Sequence, residues 1–473
     1  MPSIRYVALS DLHLGQDESL LTHVDEDTGS VIPNVPSPSL RALAACLREL
    51  ARHTTEPAKP TLILNGDILE LALSETDHAI KTFAQFIALL TREGDSVFDE
   101  IVYVPGNHDH HLWEMARETQ YLNYMRRLSR IEDLAPAWHT TKLFTGRKGK
   151  DRLAQATLTT VARKVAGRED LEVLTAYPNF GILQRDEGQG RSVLFHHGHF
   201  IEAIYHAMST AASLVFSDHR MPSDVYALEA ENFAWIDFFW STMGRSGPAG
   251  TDVGRIYEAT GSVASLRNLA DSLARNLARR FHLFTSWDPL EEAVLRWVLR
   301  HVVGRVAGRQ ERQRGATSRP LPLSEDAEKC LRWYLEGPLR NQVQAEHRPA
   351  PNEVTFVFGH THRPFECVMN SGLASRPVKI LNTGGWVVDT RAPRPEQGGA
   401  VALIGEDLSA VSLRFYNEGR YDVRVEEPLQ PGGTHSELWE HLRAVVQPDR
   451  EPWRTFADTV AREARVRMQH FGR

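Results

Sequence analysis

Five short histidine- and carboxylate-bearing signatures run in order along this chain of 473 residues. They are Asp11-Leu12-His13, Gly66-Asp67, Gly106-Asn107-His108-Asp109, His196-His197-Gly198-His199 and Gly359-His360-Thr361-His362. The clearest of them follow short apolar runs that read as β-strands, over 4–9, 61–64, 101–104, 193–195 and 354–358. One such signature is noise. Five in series, each at a strand end, describe a binuclear metal site assembled by the whole fold.

Between the first strands, residues 40–52 and 76–92 carry apolar side chains at helical spacing. That alternation predicts an α/β core. A polar helical stretch follows over about 111–170 and includes the charged run 147–152. Shorter strands are expected over 378–381, 400–404 and 411–416, with the Pro/Gly-rich segment 392–399 as a hairpin loop. Residues 200–345 have little strand character. They read as a helical insertion or lid, with a helix over 200–216, an aromatic cluster at 225–243 and two amphipathic helices over 263–314. The catalytic core is then 1–199 with 346–425, and 426–473 is a helical tail.

Composition narrows the function classes. Hydrophobic residues make up 42% and the net charge is −7, so a large core is available but a uniformly basic nucleic-acid coat is not. Three cysteines, Cys46, Cys330 and Cys367, offer no disulfide framework or zinc-ribbon spacing. The first apolar run leads straight into Asp11 without the pattern of a signal peptide, and no uncharged apolar stretch reaches the roughly 18 residues of a membrane helix. The expectation is a soluble, cytoplasmic protein of undetermined oligomeric state.

The candidate ligands Asp11, His13, Asp67, Asn107, His197, His360 and His362 offer oxygen and nitrogen but no thiolate. That set suits Mn²⁺ first, and also Fe or Zn²⁺. Asp-x-His and His-x-His place alternate side chains on one side of an extended backbone. Asp67 has two carboxylate oxygens and can bridge two ions. Two divalent ions about 3.5–4 Å apart clamp an in-line displacement and lower the pKa of bound water, so a bridging hydroxide attacks phosphorus. His108 is positioned to protonate the leaving alkoxide, with Asp109 accepting from its other ring nitrogen.

As a set, these residues resemble the calcineurin-like metallophosphoesterase superfamily, over about 1–110, 175–199 and 350–420. The resemblance implies a four-layer αββα sandwich, here with a large helical insertion. It implies one metal held by Asp11, His13, Asp67 and His362, and a second held by Asp67, Asn107, His197 and His360. It also implies His108 as the catalytic histidine. Gly359–Pro364 and Asn382-Thr383-Gly384-Gly385-Trp386 look similar to the UDP-diacylglucosamine pyrophosphatase branch. His108 departs from that branch, which carries arginine there.

Other residues keep two readings. Only one of His196 and His197 can face the metals if both lie on a strand, and His197 matches the family position. His199 touches substrate or packs in the lid. His110 and His111 read as rim or packing residues. Arg363 binds a phosphate oxygen or forms a structural salt bridge. The aromatic cluster is the insertion's core, a subunit interface or an acyl groove. From Arg267 to Pro320, eleven arginines face five carboxylates, which suits a solvated face, phospholipid head groups at a membrane surface, or a polyanion. The leading expectation is a metal-dependent phosphoesterase acting on a phosphodiester, pyrophosphate or monoester of a small-molecule or lipid-linked substrate. The rivals are a DNA or RNA exonuclease and a scaffold without activity.

Overall fold

Apolar residues in consecutive positions of a strand serve two faces, and this chain uses both. In β1 (Ile4–Leu9), Val7 and Leu9 point into one core while Ala8 points into another. In β2 (Thr61–Asn65), Leu62 and Leu64 join the first core and Ile63 the second. In β8 (Glu353–Phe358), Phe356 and Phe358 enter a third core, and Val357 meets Ala8 and Ile63 in the second. The period of two thus places the second core between two sheets and the others on their outer faces.

The computed structural model describes residues 3–53, 59–92, 94–144, 153–184, 190–206, 209, 212–213, 218–237, 241, 322–347, 350–427 and 435–470. Among these, the remaining strands are β3 (Glu100–Val104), β4 (Leu153–Ala154), β5 (Val173–Thr175), β6 (Asn179–Leu183), β7 (Arg191–His196), β9 (Phe365–Met369), β10 (Val378–Asn382), β11 (Gly398–Gly405), β12 (Ala410–Asn417) and β13 (Arg424–Val425). One sheet has the order β13-β12-β11-β1-β2-β3-β5-β4 and the other β6-β7-β8-β10-β9. Strands β1, β2, β3 and β5 are mutually parallel, as are β7, β8 and β10.

Helices cover both outer faces. α1 (Pro38–Ala51), α2 (Thr76–Thr91) and α4 (Ala156–Ala166) pack on the first sheet. α1 starts where Ser37 accepts from the Leu40 amide and Pro38 opens the first turn, a start signal readable in sequence. α5 (Val225–Ile236), α6 (Glu325–Tyr334) and α7 (Arg340–Glu346) cover the second sheet. The result is the expected helix–sheet–sheet–helix layering. The C-terminal helices α8 (Glu437–Val445) and α9 (Trp453–His470) also bury their apolar faces on the first sheet, through Leu438, Trp453, Phe456 and Val460. Arg467 on α9, paired with Glu463 at 2.8 Å, donates to the Ser19 and Thr22 carbonyls beyond the first signature.

Three expectations change. The helical stretch over 111–170 is broken: α3 (His111–Arg127) ends early, and β4 adds a strand to the sheet edge before α4. Segment 392–399 is not a hairpin loop. β10 pairs with β8 and β11 with β1, so the segment crosses from one sheet to the other. The helix expected over 200–216 begins as two short 3-10 turns, His199–Ile201 and Ala203–His206. The charged run 147–152, the amphipathic helices over 263–314 and the arginine-rich stretch 267–320 lie outside the described residues.

One glycine shows how closely the loops approach. A Cβ at Gly359 would stand 2.1 Å from Asp11 Oδ2 and 2.3 Å from Ser10 Oγ. Gly359→Ala is therefore expected to push Asp11 from its place and destabilise the fold by about 1–3 kcal/mol, as overpacking does. A thermal melt of the variant together with a metal titration checks both effects.

Candidate metal centre

The parallel strands end level with one another. Leu9 pairs with Leu64, Asn65 with Val104 and Phe195 with Val357. The five signatures therefore leave the carboxyl ends of β1, β2, β3, β7 and β8 side by side, where open α/β sheets carry their ligand sites. The loops also bond to one another: the amides of Asp11 and His13 donate to the carbonyls of Gly66 and Asp67, and Gly359 donates to His197.

The backbone there is unusual. Among the described residues, six that are not glycine have positive φ, and five of them are Asp11, His13, Asp67, His360 and His362, at 44–68°. Such conformations cost about 1–3 kcal/mol each and persist where the surroundings over-determine them. They also correct the account of the Asp-x-His and His-x-His pairs. These residues lie beyond the strand ends, so left-handed turns converge the side chains, not the pleat of an extended strand.

Two sets of acceptors result. His13 Nδ1 lies 2.8 Å from Glu70 Oε2, and His362 Nδ1 lies 2.7 Å from Asp389 Oδ2. An ionised carboxylate only accepts, so each Nδ1 carries the ring proton and each Nε2 keeps a lone pair. Those two Nε2 atoms face each other at 3.2 Å, with Asp11 Oδ1 3.6 Å from the second. Facing lone pairs repel unless a cation lies between them. In the second set, His197 Nδ1 is turned to the Asn65 carbonyl at 3.3 Å. Its Nε2 meets Asp67 Oδ2 at 3.1 Å, Asn107 Oδ1 at 3.1 Å and His360 Nδ1 at 3.2 Å. Asp67 Oδ2 is also 3.8 Å from His13 Nε2, which places it between the sets.

The electrostatics agree. Burial pushes the His197 imidazole down, but Asp67 and Asp11 outweigh it and lift it to about 9. Burial likewise opposes ionisation of Asp67, yet His197, His108 and His13 hold it well below the usual carboxylate range. The buried nitrogen and oxygen donors are of the kind that could hold metal.

His108 stands beside both sets. Its amide donates to Asp67 Oδ1 at 2.8 Å, and its Nδ1 meets Glu70 Oε1 at 2.9 Å. The partner expected there was Asp109, and the structure corrects that. Asp109 turns inward, accepting from the amides of Gly106 at 2.7 Å, Ile68 at 2.8 Å and Leu69 at 3.3 Å. Burial and the charge of Asp67 push its carboxyl up to about 6. Asp109→Ala would orphan those amides. Each buried orphan costs about 1–3 kcal/mol, so denaturant unfolding is expected to show a loss of at least about 3 kcal/mol for this variant.

Glu70 is the residue that sequence reasoning missed. It serves His13 and His108 at once and also accepts from the amides of Ala72 and Leu73. Burial works against its charge, but His108 and His13 hold it well below the ordinary range. Its signal in the sequence was slight: a carboxylate three residues beyond Asp67, in the same turn.

The remaining candidates are buried, except His111, which is half-buried. His199 is buried, its ring 4.9 Å from His196 and 4.9 Å from Tyr205. Arg363 is 1% exposed and donates from Nη1 to the Pro322 carbonyl at 3.5 Å. His110 Nε2 meets the Tyr177 hydroxyl at 3.0 Å, and His111 meets Asp237 at 3.3 Å, so both tie α3 to its neighbours. His196 faces away from Asp67. With His199 and Glu229 it forms a further trio of ligand types, but its Nδ1 accepts from the Gly198 amide at 2.8 Å, which leaves the proton on Nε2. Glu229 is taken up by the Tyr177 and Tyr205 hydroxyls.

Segment 200–345 reaches the centre at two described points. Glu202 lies 3.5 Å from His360 Nε2, and Ser241 donates to the Asn107 carbonyl at 2.9 Å. Of its aromatic cluster, Tyr226 is exposed and Phe233 half-buried under the Arg117 guanidinium, while Phe238, Phe239 and Trp240 lie outside the described residues.

A match to a known family supports a phosphoric ester hydrolase. The family model described as calcineurin-like phosphoesterase matches residues 4–223, a span that includes Asp11, His13, Asp67, Asn107, His108 and His197. His360 and His362 lie beyond that span and join the site through the fold. A similar solved structure is the crystal structure of phosphopantetheinyl hydrolase from Mycobacterium tuberculosis, with 13% identity, 81% of this chain and 91% of that chain covered, and a TM-score of 0.23. No curated protein matches the chain.

Proposed function

We propose that the chain is a binuclear metal-dependent phosphoesterase. The observation that supports this most is the pair of facing acceptor sets joined by Asp67, in which ring nitrogens meet at 3.2 Å with their protons turned outward to carboxylates or a carbonyl. In this reading Asp11, His13, Asp67 and His362 hold one ion, and Asp67, Asn107, His197 and His360 the other. Two divalent cations bound there supply an acidified water and neutralise phosphoryl charge.

The chain's own groups do the rest. Glu70 keeps the His108 proton on Nδ1 and stabilises the imidazolium, so Nε2 faces the leaving oxygen and protonates it. Asp109 holds the turn that presents Asn107 and His108. Arg363 and His199 are the substrate contacts in this reading, and segment 200–345 sets the substrate. The substrate class proposed is a phosphorylated small molecule or lipid-linked phosphate. Asn382–Trp386 serves the metal loops directly: Asn382 donates to the Gly359 carbonyl and Trp386 to that of Asp11. Those residues therefore support the scaffold and carry no information on a sugar-lipid substrate. A reducing compartment belongs to the same reading, with Cys46, Cys330 and Cys367 free. Among the described residues no helix is long and apolar enough to cross a membrane.

The test is hydrolysis of aryl phosphate mono- and diesters and of a pyrophosphate, with Mn²⁺, Fe²⁺ or Zn²⁺ supplied in turn and metal content measured alongside. Turnover that depends on metal supports the reading. A protein that binds no divalent ion and cleaves none of these esters sinks it.

A further inference from the structure

We propose that Asp389 is a positioning residue for the first metal position, one that holds the His362 ring with Nε2 turned into the site. The inference rests on the metal reading above. His362 sits on the loop after β8, in a left-handed backbone conformation at φ 53°. A ring on such a loop has two faces and two nitrogens to offer, and something must choose. His362 Nδ1 is 2.7 Å from Asp389 Oδ2, while its Nε2 is 3.2 Å from His13 Nε2 and 3.6 Å from Asp11 Oδ1. The imidazole therefore separates Asp389 from the other donors, so the carboxylate acts on the ring and not as a ligand itself.

Asp389 is itself anchored. Its Oδ2 accepts from Gln397 Nε2 at 3.3 Å, and Gln397 precedes β11, the strand beside β1. The side chain is 13% exposed, so the bond to His362 forms in a largely dry setting, where a charged acceptor is strong. A carboxylate behind a metal-binding histidine fixes its tautomer and raises its basicity, and losing such a partner typically costs about 10–100-fold in metal affinity. Glu70 does the same behind His13, but it also serves His108 and the turn at Ala72 and Leu73. Among the described residues, Asp389 offers a cleaner probe because it sits behind one expected ligand.

The experiment compares wild type, Asp389→Ala and Asp389→Asn as full-length apoproteins titrated with Mn²⁺, reading stoichiometry and affinity, with thermal melts of each apoprotein. Expected is a wild type that binds two ions and an alanine variant in which one of the two binds about 10–100-fold more weakly. The asparagine variant, whose amide oxygen can accept the same bond, falls between them. Co²⁺ substitution adds a spectroscopic readout, a shift of the ligand-field bands at one position only in Asp389→Ala. Two ions bound with wild-type affinity in both variants would overturn the proposal and leave the phosphoesterase reading standing. Equal weakening of both ions with a lower apoprotein melting temperature also overturns it, since that is a fold defect. Should the alanine variant not fold, the asparagine variant decides by the same criteria. A wild type that binds no ion overturns the metal reading itself, and this proposal with it.

Discussion

Asp67→Ala is expected to lose at least about a thousandfold in turnover and all stabilisation by metal. Asp67 Oδ2 stands 3.1 Å from His197 Nε2 and 3.8 Å from His13 Nε2, between the two acceptor sets. Its Oδ1 accepts the His108 amide. In the proposed reading one substitution therefore removes the ligand shared by both ions and loosens the turn that carries the expected acid. An ion at such a site contributes several kcal/mol of transition-state stabilisation, and each 1.36 kcal/mol is tenfold in rate. The structural counterpart is a thermal shift. Wild-type protein at a metal concentration about a hundredfold above Kd gains roughly 2.7 kcal/mol over the chelated form. Asp67→Ala should melt at the same temperature with Mn²⁺ and with EDTA. A variant that still responds to Mn²⁺ like the wild type would remove Asp67 from the site.

His108→Ala carries the second large effect, and its pattern matters more than its size. General acid catalysis contributes about 10²–10⁴-fold, so esters with alkoxide leaving groups should slow by that range. Esters with a nitrophenolate leaving group need no proton and should slow little. Metal stoichiometry should stay at the wild-type value, because the His108 ring touches Glu70 and its amide, not its ring, meets Asp67. Glu70→Gln is expected to reproduce the leaving-group dependence in weaker form and also to loosen metal binding, because Glu70 backs His13 as well. Equal slowing of both ester types in His108→Ala would argue that the ring shapes the pocket and donates no proton.

Much of this was legible in the residues. Alternating and continuous apolar runs marked β1, β2, β3, β7 and β8, and each led to a signature that the fold brings to one place. Asp11, His13, Asp67, Asn107, His197, His360 and His362 all meet there, and His108 stands beside them. Neighbours on a strand point to opposite faces, which allows only one of His196 and His197 at the site; the resemblance to the family, not the alternation, selects His197, and its Nε2 is the one that meets Asp67.

The differences share one origin: local pattern in a sequence does not set local geometry. The spacing of Asp11 and His13 predicts a pleat, but their φ of 52° and 44° bends the chain so that both turn inward. Nothing in Asp-Leu-His announces a left-handed conformation. It is imposed by bonds from the Asp11 and His13 amides to Gly66 and Asp67, more than fifty residues away. Adjacency predicts that Asp109 serves His108, yet its carboxylate is captured by three amides of converging turns. Segment 392–399 looked like a hairpin because composition reports a turn but not which sheet comes next.

The sequence by itself determined the kinds of atom at the site and the strands that deliver them, because ligand chemistry and the apolar period of two are written residue by residue. Only the tertiary structure decided which nitrogen of each ring faces inward. That choice belongs to Glu70, Asp389 and the Asn65 carbonyl, which lie 57, 27 and 132 residues from the histidines they orient. A hydrogen bond selects a tautomer by distance in space, and no spacing along the chain encodes it.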